Sequence, residues 1–271
     1  MNIRRWSVGV LAATLLVSGL TACKSDTSES AAGGSSASSA PAVPADPKEA
    51  LLASTKEIEK GNFTFTLAGA GLSGKGLVHK PSNSAQFSMK FDDGSGASMG
   101  MELIFIQPES WVMIDLGELG NMIPGAEKMK GKYQHLDQSK VKGAGELSRY
   151  MEEVDPAGSA VLTKGITEVQ KTAEGSYTGK LDASAATESS AVDADMVKAL
   201  GAQAKSLPFT AKLDAEGRLT ELVISVPAAG ETKAHDIKVT YADYGNATAA
   251  QKPAADKVVE ASPETYEMFK K

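Results

Sequence analysis

The sequence has a single cysteine among its 271 residues, at position 23. One mature chain therefore cannot form an internal disulfide. A catalytic thiol is also disfavoured, because a nucleophilic thiolate needs a folded electropositive pocket with a base nearby. Cys23 is instead followed by a run of small polar residues. The lone cysteine thus predicts neither a crosslink nor a catalyst.

Catalytic and metal-binding motifs are also missing. His79, His135 and His235 fall in different predicted strands, with no second histidine or cysteine at ligand spacing. No G-x-S-x-G elbow occurs. The stretch GAGLSGKG at 69–76 lacks the Ser or Thr that a phosphate-binding loop needs after its lysine, and it favours a hairpin turn. We therefore predict no enzyme activity, no catalytic residues, no metal and no cofactor.

Basic residues are fewer than acidic ones, 28 against 34. Two of the basic residues, Arg4 and Arg5, lie in the N-terminal leader described next, so the mature chain is more acidic still. An acidic surface argues against nucleic acid as a partner and against adhesion to anionic lipid by charge alone.

The first 22 residues have the plan of a secretory signal: two arginines, an apolar run and small residues before a processing point. Leu20-Thr21-Ala22-Cys23 resembles the bacterial lipobox, whose cysteine receives a diacylglyceryl group and acyl chains such as palmitate. A membrane-spanning helix needs about 20 apolar residues and a stop signal, which this run lacks. A plain signal peptide is the alternative. We expect a lipid-anchored protein on the extracytoplasmic face of the cell membrane.

Residues 24–46 are rich in Ser, Ala, Gly and Pro and contain no aromatic residue. Such a composition buries too little apolar surface to become ordered, so residues 23–46 are predicted to be a lipidated cysteine with a flexible tether. Its r.m.s. reach is about 25–30 Å. Residues 47–271 are predicted to form one domain.

The domain is predicted to be α+β. Asp46 is a suitable N-cap for a helix that starts at Pro47, and Gly61 ends the helical pattern. The period then changes to two in segments such as NFTFTLAG, AQFSMKFDD and SMGMELIFI, which predicts strands with one apolar face. Helices are expected at 144–163 and around 192–205, with further strands after each. This order predicts a strongly curved antiparallel sheet of about ten strands with helices on its concave face.

The apolar face is rich in Phe and Met. Strand alternation predicts that it is lined by Phe63, Phe65, Phe87, Met89, Phe91, Met99, Met101, Leu103, Phe105, Trp111 and Met113. This face is either a packed core or the wall of a cavity, since Met suits sites that adapt to irregular apolar ligands. The segment 117–131 combines several glycines with Met122, Ile123 and Met129, and we expect it to act as a mobile lid.

The second half of the chain contains the stretches YTGKLD, FTAKLDAEGRLTELVIS and IKVTYADYG, the last followed by an Ala/Pro-rich tail. In these stretches, the lipobox and the tether, the mature chain resembles the LppX/LprAFG family of actinobacterial lipoproteins, which share their fold with the LolA/LolB carriers. This resemblance implies a LolA-like half-barrel whose cavity holds acyl chains of a lipid or lipoglycan and assists their transport to the cell envelope. We expect a monomer, with an envelope transporter of unknown identity as a candidate partner. The alternative is an envelope interaction or sensor lipoprotein with a packed core.

Overall fold

The computed structural model describes residues 43–69, 71–92, 98–123, 126–141, 155–186, 192, 194–230 and 233–268. The leader at 1–22, the lipobox cysteine and the tether as far as residue 42 lie outside the described residues, as does most of the first helix expected at 144–163. Within the described ranges, no helix is both long enough and apolar enough to cross a membrane.

Short helices begin and end the domain. As the sequence predicts, Asp46 caps the first of them: its side chain accepts a hydrogen bond of 2.9 Å from the Glu49 N–H, and Pro47 is the first helical residue. The described helices are α1 Pro47–Ser54, α2 Lys56–Glu59, α3 Gln138–Val141, α4 Ser159–Lys164, α5 Ala194–Leu200 and α6 Pro263–Met268. Short 3-10 helices occur at Lys80–Ser82, Gly117–Met122, Ala126–Lys128, Ala183–Ala185, Gly201–Ser206 and Ala255–Lys257.

One large sheet dominates the described structure. Its strands are β1 Asn62–Gly69, β2 Leu72–His79, β3 Ser84–Asp92, β4 Ser98–Ile106, β5 Glu109–Asp115, β6 Tyr133–Leu136, β7 Ile166–Ala173, β8 Ser176–Leu181, β9 Leu207–Leu213, β10 Leu219–Val226, β11 His235–Ala242 and β12 Val258–Glu260. Their order across the sheet is β12-β6-β5-β4-β3-β2-β1-β11-β10-β9-β8-β7.

The sheet is curved and unclosed, and the α+β class is confirmed. It has 12 strands where about ten were expected, and it is mixed, because β12 pairs with β6 in parallel. One strand that the sequence did not predict is β12, a stretch of three residues at the end of the Ala/Pro-rich tail and too short to show a period of two. The hairpin expected in GAGLSGKG is confirmed, with Gly69 of β1 opposite Leu72 of β2.

The helices pack against one face of the sheet, which we call the inner face. Leu51 and Ile58 from the first two helices and Leu162 from α4 share a buried cluster with Phe63 and Leu222 of the sheet. Leu51, Thr55 and Ile58 recur at helical spacing and are all buried, so α1 and α2 turn one face towards the core.

The opposite, outer face carries a smaller buried cluster of Ile104, Trp111 and Ala250. Ala250 belongs to the chain that follows β11, and its N–H donates to Ser84 Oγ at 3.1 Å. Lys252, two residues later, forms an ion pair with Glu109. The tail between β11 and β12 therefore lies across the outer face and covers Trp111.

The sequence predicted that eleven residues share one apolar face. This prediction is wrong for two of them, Trp111 and Met113. The β4–β5 register sets Trp111 opposite Ile104 and Met113 opposite Glu102, and both partners lie on the outer face. Val112 and Ile114 take the inner positions, opposite Leu103 and Met101. The physical reason is that side chains alternate along a strand, so a shift of one residue exchanges the faces.

Candidate functional site

Nine of the eleven residues predicted to line the apolar face lie together on the inner face of β1, β3 and β4. Cross-strand pairs place Phe87 opposite Leu103, Met89 opposite Met101, and Phe91 opposite Met99. Phe63 and Phe65 lie on the same face of β1, opposite Val78 and Gly76 of β2. The side chains thus form successive rows across the strands, from the end near Phe63 and Phe105 to the end near Phe91 and Met99.

Four phenylalanines near one end form a packed ring row: Phe63, Phe65, Phe87 and Phe105. Successive ring centroids lie 6.4, 5.8 and 5.9 Å apart, with tilted or edge-on orientations. Such separations are typical of favourable aromatic contacts in protein cores. All four residues are buried, so this part of the inner face is core and not empty space.

A glycine beneath the ring row explains its close packing. A Cβ at Gly76 would lie 2.7 Å from Phe65 Cε1 and 2.8 Å from Phe87 Cδ1. The two rings therefore occupy the space that a side chain on β2 would need. Gly76, which ends the stretch that resembles a phosphate-binding loop, therefore has a packing role.

The inner face becomes progressively exposed towards the β3–β4 connection. Phe87 is 3% exposed and Leu103 is 0%, whereas Phe91 is 42% exposed and Met99 is 38%. We call this exposed part the open end and define it by the apolar residues Leu72, Met89, Phe91, Met99, Met101 and Ile114. Leu72 and Ile114 were not recognised as site residues from the sequence, although the period-two pattern of β2 and the β4–β5 register include them.

The segment predicted to be a lid begins beside the open end. Gly117 has φ +53 and its backbone abuts the carbonyl of Ser98, so the Gly117–Met122 3-10 helix starts beside the first residue of β4. Met122 is 72% exposed, Ile123 is also exposed, and Met129 is half-buried. Met122 and Ile123 are therefore not buried against the inner face. Their role as a lid stays a prediction.

A buried polar contact fixes α4 beside the ring row. The Tyr241 hydroxyl donates to Asp155 Oδ1 at 2.7 Å, and the Ala160 N–H donates to Asp155 Oδ2 at 2.7 Å. Tyr241 also contacts Phe63, with ring centroids 5.4 Å apart. Burial raises the pKa of the Asp155 carboxyl, although these two hydrogen bonds act in the opposite direction. Burial next to that carboxyl also raises the pKa of Tyr241.

A groove of about 690 Å³ lies where β9 and β10 separate, and it is a second candidate site. The β9–β10 pairs stop at Phe209 and Ile224, before Pro208, which has no N–H to donate. Its lining mixes aliphatic side chains, prolines and polar groups: Gln203, Ser206, Leu207, Pro208, Ser225, Val226, Pro227, Ala234, His235 and Asp236. His235 Nδ1 contacts the Lys233 carbonyl at 2.9 Å, while its Nε2 is buried without a partner. This mixture selects no class of ligand.

The three histidines remain apart. His79 Nδ1 contacts Ser82 Oγ at 2.6 Å, and His135 Nδ1 contacts Glu260 Oε1 at 3.3 Å on the outer face. The residues that the structure describes include no group of three or more His, Cys, Asp or Glu side chains arranged to hold a metal ion.

No protein-family model matches the chain, and no curated protein sequence matches it either.

Proposed function

We propose that the protein is a lipid-anchored extracytoplasmic lipoprotein that binds acyl chains of a lipid or lipoglycan at the open end and assists their transport to the cell envelope. The observation that carries this proposal is the rise in exposure along the inner face, from Phe87 to Phe91 on β3 and from Leu103 to Met99 on β4. An apolar face that runs from a packed core to solvent offers an acyl chain a continuous surface. Burial of such a chain contributes about 0.8 kcal/mol per methylene.

The architecture is compatible with a LolA-like carrier. A curved, unclosed sheet with helices on the inner face presents one apolar concavity, and Met89 and Met101 are adaptable side chains in that concavity. We propose that residues 117–131 cover the open end when a ligand is bound.

The packed ring row favours the second candidate function, an envelope interaction or sensor lipoprotein with no lipid ligand.

Mass spectrometry of protein purified from its own host distinguishes these two functions. Solvent extraction removes non-covalent lipid, whereas the diacylglyceryl group stays on Cys23 through its thioether bond. We expect lipid to co-purify with the native protein and to be lost from the Phe91→Asp and Met99→Asp variants. Leu52→Asp is a matched control, because Leu52 is similarly exposed but lies on α1. Native protein without any extractable lipid would refute the lipid-binding proposal.

The proposed anchor has its own test. Cys23→Ala removes the only thiol in the chain, so we expect the protein to move from the membrane fraction to the soluble fraction. Its circular dichroism should not change, because the core is built from residues between Ala50 and Tyr266. Full retention in the membrane fraction would contradict the lipobox interpretation.

A further inference from the structure

Exposed apolar side chains gather where the open end meets solvent. Phe91, Met99, Met122 and Ile123 account for four of the seven large exposed hydrophobic residues in the described part of the chain. The contact of Gly117 with Ser98 brings the 3-10 helix that ends at Met122 next to the start of β4, where Met99 lies. Met122 lies five residues further on, which is about 10 Å along a 3-10 helix. We call these four side chains the apolar rim.

We propose that the apolar rim docks on the surface of the lipid bilayer to which the protein is anchored. This inference rests on the proposed anchor at Cys23 and on lipid binding at the open end. It adds that the site faces the membrane, so an acyl chain passes between bilayer and protein without crossing water.

The size of the apolar rim favours a bilayer over a protein partner. Four partly exposed side chains offer a few hundred Å² of apolar surface. A specific protein complex buries about 800 Å² on each partner. A tether, however, makes docking on the bilayer intramolecular, so that a contact too weak for a free partner can be well populated.

The length of chain outside the structure permits this orientation. Val43, the first described residue, contacts Gly217 in the β9–β10 hairpin. The antiparallel pairing places that hairpin at the opposite end of the strands from the apolar rim. A strand of nine residues spans about 30 Å. About twenty residues separate Cys23 from Val43 and reach about 70 Å when extended, so the chain can run alongside the domain.

The charges around the apolar rim are nearly balanced, which specifies the kind of lipid surface. Among the residues that the structure describes, those flanking the apolar rim include Lys90, Lys128 and Lys130 on the basic side and Asp92, Asp115, Glu118 and Glu127 on the acidic side. Docking should therefore be driven by apolar contact and should not require anionic lipid.

Site-directed spin labelling tests the proposal on the acylated protein in phosphatidylcholine vesicles. The diacylglyceryl thioether blocks the sulfur of Cys23, so an introduced cysteine is the only free thiol. We expect a nitroxide at Met122→Cys to be accessible to oxygen and protected from a water-soluble nickel reagent. Labels at Leu52→Cys and Val161→Cys are matched controls, because both positions are exposed and lie on α1 and α4. These two labels should remain accessible to nickel.

The Phe91→Ser/Met99→Ser double variant should lower the docked fraction, measured as the bound-to-free ratio, by about tenfold. Replacement of a third of the phosphatidylcholine by phosphatidylglycerol should change this ratio by less than about twofold. Equal nickel accessibility at positions 122 and 52 would overturn the proposal, and so would a strong dependence on anionic lipid. Co-purifying lipid together with a solvated label at 122 would refute docking alone. A docked label without co-purifying lipid would refute lipid binding alone.

Discussion

Phe87 and Phe91 are a matched pair that tests whether the inner face is closed at one end and open at the other. They are the same residue type on the same face of β3, four residues apart. Phe87 is 3% exposed and contacts the rings of Phe65 and Phe105, whereas Phe91 is 42% exposed. Replacement of each by Ala removes the same atoms from two different environments.

The expected destabilisation differs accordingly. A buried Phe→Ala change costs about 3–5 kcal/mol, because a cavity adds to the lost transfer free energy. Full burial of a Phe side chain is worth about 1.5–3 kcal/mol. Phe91 has little more than half of its surface buried and leaves no enclosed cavity, so Phe91→Ala should cost about 1–1.5 kcal/mol. The two variants should therefore differ by about 2 kcal/mol or more in free energy of unfolding.

Urea unfolding measures this difference, with the slope m checked for equality between the variants. A large loss in both variants would mean that Phe91 is covered in solution and that the inner face is closed at both ends. A small loss in both would mean that the ring row is not a packed core. Either result would refute the graded inner face on which the proposed function depends.

Three further comparisons use the same unfolding assay. Phe105→Trp should cost about 1–3 kcal/mol through overpacking, while Met101→Trp at the open end should be tolerated and should displace ligand; equal costs would contradict an open end. Gly76→Ala should be destabilising because its Cβ would collide with two rings, whereas a Cβ at Gly74 would meet Met89 Cγ at an ordinary 3.5 Å; the opposite order would contradict the packing described. Because burial raises the folded-state pKa of Asp155, its contribution to stability is present below about pH 3.8 and declines as pH rises through the raised value. Asp155→Asn should lack that decline, and parallel pH profiles would show the carboxyl to be solvated.

The sequence predicted the strands and the apolar face of β1, β3 and β4 because each shows apolar alternation with a polar residue between most members. On β5 it could not assign the face. Trp111, Val112, Met113 and Ile114 are all apolar, so the segment has no period of its own. The pairing with β4 decides which residues point inwards, and pairing is a tertiary property.

The tail was the other feature that could not be predicted. Its Ala, Pro and Lys residues show no periodicity, yet it supplies β12 and covers Trp111. The tail packs on an apolar patch of the outer face, and that patch cannot be inferred from the sequence before the β4–β5 register is known. The open end was partly predictable: Phe91 and Met99 were recognised as apolar-face residues, but their exposure depends on how far the helices extend over the sheet.

Within the described residues, these contacts close two approaches to the β1–β5 part of the sheet and leave the open end accessible to an apolar ligand. The tail covers the buried cluster on the outer face, and the ring row with Asp155 and Tyr241 fills the inner face at one end. An acyl chain that enters beside Phe91 therefore meets the Phe87 ring four residues along β3, at a depth of about 13 Å. Burial of a longer chain requires the ring row to move, at the cost of aromatic contacts worth about 0.5–1.5 kcal/mol each. Each additional methylene contributes about 0.8 kcal/mol in return, so two or three methylenes offset the loss of a pair of contacts. The ring row should therefore not affect short chains, which end before they reach it. For a longer chain, the first two or three methylenes beyond that depth should add little net affinity, and further methylenes should again strengthen binding.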